Sequence, residues 1–192
     1  SVLNYYGKIT KQKPLRAGKG SYYEGGIRVP FFFMWKNKIS PGKNIQTPIS
    51  HLDIFPTLMH LNGDDSIKKD LDGQSLLPLL TQNKVIEERS FFWHFPIYLQ
   101  GYDIKHNENR DSLFRTRPGS LIRKGDWKMH YYFEDHGIEL YNLKYDISER
   151  NNLAQIQIDK REELKDELKA WWEKTDAPIP SKINPLYAPR SN

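Results

Sequence analysis

The chain has no cysteine among its 192 residues. Disulfides, thiolate metal sites and cysteine nucleophiles are therefore excluded within it. No Asn-x-Ser/Thr sequon occurs, so the usual mark of a glycosylated secreted chain is missing. No apolar run approaches the length of a membrane span. The longest candidate, "VPFFFMW" at Val29–Trp35, is strand-sized. "GKGS" at Gly18–Ser21 lacks the frame of a P-loop, and there is no dinucleotide fingerprint and no G-x-S-x-G elbow. No internal repeat is visible.

Large rings are plentiful: 5 Trp, 11 Tyr and 9 Phe. They can build a core where aliphatics are few, which argues against disorder over most of the length. The formal charge is +5 and unevenly spread. The first 44 residues carry +8, with Glu24 their one acid, and the rest carries −3. A basic end beside a near-neutral body suits an anionic partner, or is simply a solvated rim. No nucleic-acid recognition motif accompanies it.

Along the chain, residues 1–14 read as loop. "RVPFFFMW" (28–35) reads as a strand apolar on both faces, which needs cover on both sides. "SHLDIFPTLMHLNG" (50–63) reads as a short helix with Asp53 as N-cap and Pro56 in the first turn. Leu58, Met59 and Leu61 would continue its apolar face. Residues 99–119 read as a polar surface loop. "SLIRK", "WKMHYYF" and "IELYNL" are three strands, the first two joined by a Gly125-Asp126 turn. In the second, Trp127, Met129, Tyr131 and Phe133 form an apolar face and Lys128, His130 and Tyr132 a wetter one. "DKREELKDELKAWWEK" (159–174) is a helix with Asp159 and Glu162 as a capping pair. Its Leu164, Leu168, Trp171 and Trp172 fall on one stripe that should lie on the strands. The tail from Ala177 should run extended.

The stretch Leu15–Phe31, "LRAGKGSYYEGGIRVPF", concentrates candidate chemistry. Lys19 stands between Gly18 and Gly20, which permit unusual backbone conformations and close approach of a ligand. By itself it is a loop lysine in a flexible turn. Arg28 is placed to pin the turn through Glu24. His94, in "FWHFPIY", lies among rings that could face a sugar, or simply pack. Arg115 and Arg117 in "LFRTRPG" could meet a polyanion or be solvated.

The whole stretch resembles the Gly-Lys-Gly and Glu-Gly-Gly-x-Arg-x-Pro signature of the formylglycine-dependent sulfatases, in the alkaline phosphatase superfamily. Three more matches follow in family order. "ISHLDIFPTLMHLNG" resembles the Asp-x-x-Pro-Thr helix, and "LDGQSLLPLL" the Asp-Gly-x-Ser-Leu turn. "LIRKGDWKMHYYF…IELYNLKYDISERNNLA" resembles the C-terminal region, with Ile147 departing from the usual proline. The resemblance covers about residues 15–172. It implies an α/β fold. Residues 1–90 would be the end of an alkaline-phosphatase-like α/β domain. Residues 91–192 would be a small subdomain of antiparallel sheet packed by one helix.

The activity implied is sulfuric ester hydrolysis, with sulfated carbohydrate as substrate class. Lys19 is then the sulfate-binding catalytic residue, and His94 and Arg117 are substrate contacts. The resemblance also implies a divalent metal, calcium, and a formylglycine nucleophile, both held by residues upstream of Ser1. The isolated chain should then be inactive, and its partners would be the sulfate ester and the preceding part of the same protein. A periplasmic or secreted bacterial setting is favoured on the same ground. Two other readings stay open: a phosphoester or phosphonate hydrolase of the superfamily, and a non-catalytic polyanion-binding module.

Overall fold

The computed structural model describes residues 12–64, 71–100, 108–110, 113–182 and 184–185. Most of the N-terminal loop, part of the 99–119 segment and the end of the tail lie outside them. The chain divides into two compact units, residues 1–29 with 89–192, and residues 30–88. The sequence reading draws one boundary, at 90/91. Packing draws two, after Val29 and after Glu88.

The first unit is built on a four-stranded antiparallel sheet of order β1-β4-β5-β6. Its strands are β1 (Ser90–Phe95), β4 (Gly119–Lys124), β5 (Trp127–Tyr132) and β6 (Ile138–Asn142). A short ribbon, β2 (Leu99–Gln100) with β3 (Phe114–Thr116), lies between β1 and β4 in sequence. The ends of the expected loop thus pair with each other. Gly125 takes φ 55 at the first position of the two-residue turn from β4 to β5, a conformation closed to most side chains.

Helix α4 (Ile158–Thr175) covers one sheet face. Leu164 and Leu168, one turn apart, are fully buried against Ile122, Met129 and Leu140. Trp171 stacks on Phe92 with ring centroids 5.0 Å apart. Burying side chains of this size contributes roughly 2 kcal/mol each, which makes this the main apolar core. The stripe thus lies where its spacing placed it. The capping pair does not form. The helix begins at Ile158 after Gln157, with no side-chain cap, so Asp159 is already inside the first turn. Glu162 instead pairs with Arg161 and Lys165.

The other sheet face corrects the alternation reading. Lys128 and His130, expected to be wet, are 0% exposed. Alternation did put them on the face opposite Met129. That face is covered by residues 16–28, including the one-turn helix α1 (Glu24–Ile27).

The expected strand at 28–35, most of it in the second unit, forms no ladder with any described residue. Phe32 and Met34 are 90% and 95% exposed. A strand needs a neighbour to take its backbone hydrogen bonds, and no described residue supplies one. Asp53 also departs from expectation. It closes a capping box with Ser50 around a 3-10 turn, His51–Asp53, instead of capping α2 (Ile54–Leu61) with its side chain. Its second oxygen accepts from Gln74 N at 2.9 Å. Thr57 Oγ accepts from Leu76 N at 2.9 Å. The Asp-x-x-Pro-Thr helix therefore holds the Asp-Gly-x-Ser-Leu turn by two side chains. Gly73 makes the approach possible: a Cβ there would meet the Leu52 carbonyl at 2.0 Å. Helix α3 (Leu77–Thr81) follows, and Leu76, Leu79, Leu80 and Ile86 form a small core.

Candidate functional site

Lys19 sits at the tip of a turn closed by Ser21 N donating to Gly18 O at 3.1 Å. Its side chain is exposed. Gly20 has φ +86, the left-handed value that a type II turn demands at its third position. A Cβ at Gly18 would meet nothing within 4 Å, so the space beside the lysine stays open.

The floor beneath this turn is rigid. A Cβ at Gly26 would lie 2.2 Å from Ser21 O and 2.8 Å from Gly18 O. One at Gly25 would lie 2.4 Å from Arg16 O. Only glycine allows α1 to press so closely on the backbone of the turn. Gly25 N donates to Arg16 O at 2.9 Å, closing the approach.

Beneath α1 lies a fully buried charge network. Lys128 Nζ is 3.0 Å from Glu24 Oε1 and 3.0 Å from Glu149 Oε1. Glu149 Oε1 also accepts from His130 Nε2 at 3.2 Å, and Oε2 accepts from the Glu24 backbone N–H at 2.5 Å. Arg123 and Arg28 lie 3.5 and 3.7 Å from Glu24 Oε2, so Arg28 does reach Glu24. Burial alone would raise the pKa of Glu149. The His130 hydrogen bond and the Lys128 charge more than offset it, and bring it down to about 2. Arg16 extends the grip. It donates to Glu149 O at 2.8 Å and lies 3.8 Å over the Tyr23 ring. Tyr23 in turn donates to Glu139 at 2.7 Å. Burial, with the Glu139 charge next in weight, pushes the Tyr23 pKa well up, so the phenol stays a donor. Paired charges at zero exposure hold one geometry, because losing a partner leaves a bare buried charge.

His94 lies on β1, away from this network. Its Nε2 is 3.1 Å from the Pro178 carbonyl, which can only accept, so Nε2 carries the hydrogen. Nδ1 then accepts from Ser120 Oγ at 2.6 Å, and that oxygen takes the Trp172 indole N–H at 2.9 Å. Burial lowers the His94 pKa against the opposing Pro178 bond, so the ring is neutral near pH 7. Both ring nitrogens are therefore engaged within the chain. Arg117 is 4% exposed and pairs with Glu134 at 2.8 Å. Glu134 also accepts from the Tyr98 hydroxyl. Neither residue is brought to the Lys19 turn by any contact described.

Arg115, by contrast, reaches that turn, donating to Lys19 O at 3.1 Å. The sequence reading missed the Lys128–Glu24–Glu149 network. Its one visible signal was a lysine and a histidine alternating within an apolar strand. Among the described residues, no three His, Asp or Glu side chains gather where a metal could be held. No helix among them is long and apolar enough to cross a membrane.

The family model for the C-terminal part of N-sulphoglucosamine sulphohydrolase matches residues 18–177. That span includes Lys19, the network and helix α4. A sulfatase of Formosa agariphila is 32% identical over 185 residues, covering 88% of this chain and 31% of its own length. An uncharacterized sulfatase of Escherichia coli, YdeN, is 30% identical over 188 residues, covering 86% of this chain and 32% of its own length. The solved structure of Ps i-CgsB superposes with a TM-score of 0.67 at 27% identity, covering 92% of this chain and 35% of that one. The chain thus spans about a third of the length of the relatives it matches. The chain therefore belongs to the sulfatases, in the family of the C-terminal part of N-sulphoglucosamine sulphohydrolase.

Proposed function

We propose that this chain is the C-terminal part of an enzyme that hydrolyses sulfate esters of carbohydrates, with Lys19 binding the sulfate. One observation carries the reading: an exposed ammonium on a turn whose floor is fixed by a buried charge network. Hydrolysis moves the ester bond's electrons onto the leaving oxygen while charge stays spread over the sulfuryl oxygens. A cation already in place lowers that barrier without reorganising. The open space at Gly18 gives the anion room beside the lysine.

The carbohydrate class is supported by relatives. Ps i-CgsB has also been solved in complex with k-i-k-neocarrahexaose, with a TM-score of 0.67. A Bacteroides thetaiotaomicron structure with a TM-score of 0.59 at 26% identity is described in connection with the metabolism of multiple glycosaminoglycans. In this reading the formylglycine nucleophile and a calcium ion belong to the remainder of the enzyme, and the isolated chain turns nothing over. His94 and Arg117 act through packing.

The test is Lys19→Ala in the full-length protein that carries this chain. Turnover of a sulfate ester should fall at least about tenfold, which is about 1.4 kcal/mol of transition-state stabilisation, with the melting temperature unchanged. A smaller loss removes Lys19 from the sulfate site. Faster turnover of a phosphate monoester than of the matching sulfate would favour a phosphoester hydrolase instead.

A further inference from the structure

The Lys19 turn is held from a second side. Arg115, on β3, donates through Nη1 to the Lys19 carbonyl at 3.1 Å. Its stem lies directly over the next residue: a Cβ on Gly20 would sit 2.5 Å from Arg115 Cδ and 2.5 Å from Leu99 Cδ2. The β2–β3 ribbon, which carries both side chains, therefore closes over the outer side of the turn.

The carbonyl that Arg115 holds belongs to the Lys19–Gly20 peptide, the central peptide of the turn. Rotation of that one peptide separates a type II turn from a type I turn. Glycine at the third position permits either hand, so the floor beneath the turn does not by itself choose between them. The rotation changes ψ of Lys19 by about 150°, and the rotamers open to a side chain depend on its backbone angles. Gly20 at φ +86 is in the type II state, and the guanidinium is bonded to the oxygen that such a rotation would move.

We propose that Arg115 is a positioning residue for Lys19: it fixes the central peptide of the turn in the type II form and so fixes the backbone from which the sulfate-binding ammonium is presented. This rests on the sulfate reading of Lys19. Leu99 contributes by filling the space over Gly20. Arg115 acts through the lysine and not on the substrate, and that distinction can be measured.

The experiment is a double-mutant cycle in the full-length protein, with 4-nitrophenyl sulfate as substrate. Arg115→Met keeps an apolar stem over Gly20 and removes the donor. Arg115→Met should lower kcat/KM about tenfold in the parent background, and by less than about twofold in a Lys19→Ala background, because nothing remains to be positioned. The close approach of Lys19 Hα to the Gly20 N–H, strong by nuclear Overhauser contact in a type II turn and weak in a type I turn, should weaken in Arg115→Met with the melting temperature unchanged; this readout needs no substrate.

Equal losses in both backgrounds would overturn the proposal, since they indicate direct substrate contact or general destabilisation. So would an unchanged contact between Lys19 Hα and the Gly20 N–H. If Lys19→Ala loses activity and Arg115→Met does not, the positioning role alone fails. If Lys19→Ala is itself active, the sulfate reading falls and this inference with it.

Discussion

Helices α4 and α2 both carry leucines at helical spacing, yet they end in different surroundings. In α4, Leu164 and Leu168 are 0% exposed against the sheet. In α2, Leu58 is 52% exposed, and Phe55 beside it is 50% exposed. The expected apolar face of α2 is therefore largely uncovered by described residues, and what the helix buries most fully is Pro56 and Thr57. The same contrast runs through the strands. Met129 on β5 is fully buried, while Met34 in the extended 28–35 segment is 95% exposed. An amphipathic pattern states what an element can bury. Whether it does so depends on a partner, and the sheet unit contains its own.

Four changes probe this contrast. The largest effect is expected from Lys128→Met. It leaves Glu24 and Glu149 without their shared cation, at a cost of about 3–5 kcal/mol. Urea unfolding followed in the sheet unit should shift by that much, while amide exchange in α2 stays as it was. Equal shifts in both units would mean that they unfold together. Leu168→Ala comes next, at roughly 2–5 kcal/mol for a cavity under the sheet, read by the same unfolding curve.

Acid gives a third handle. Glu149 binds its proton more readily in the unfolded chain, where its pKa is near the ordinary 4.5, than in the fold, where it is about 2. Its contribution is therefore complete above about pH 4.5 and fades as pH falls toward 2. Urea midpoints at pH 6 and pH 2.5 should differ more in the parent than in Glu149→Gln. A difference that survives the substitution would assign the acid sensitivity to other carboxylates. The smallest effect belongs to Leu58→Ala, within about 0.5 kcal/mol, because little of that side chain is buried in this chain. A loss of 2 kcal/mol or more would show that the face is covered in solution.

Much of the sheet unit was legible because its signals are local. The α4 stripe, the β4–β5 turn and the three strand patterns each depend on residues within one or two turns of each other. Lys128 and His130 were misjudged for the opposite reason. Alternation reports which face a residue takes, not what lies over it, and the cover here comes from Tyr22, Tyr23 and Glu24, more than 100 residues earlier. The 28–35 segment failed as a strand because its apolar content was readable and its pairing was not. The sequence marks Asp53 as a helix cap, whereas its longer reach to Gln74 depends on a tertiary approach that only Gly73 makes possible. Lys19 was visible from its glycines. Arg115's grip on it was not, because a donor to a backbone carbonyl leaves no pattern in sequence.

The Lys128–Glu24 contact joins positions 104 residues apart, with the whole of the 30–88 unit lying between them in the chain. That separation sets an order of events in folding. The hairpins of β4, β5 and β6 join neighbours in sequence and can form early. Docking of residues 16–28 must wait for closure of a long loop. Yet closure entropy grows only slowly, by about 0.6 kcal/mol for each doubling of length. The 30–88 segment can therefore change in length with little effect on whether the clamp shuts. The Lys19 turn should be among the last parts of the sheet unit to become ordered, so the proposed sulfate site would assemble only on a scaffold already built.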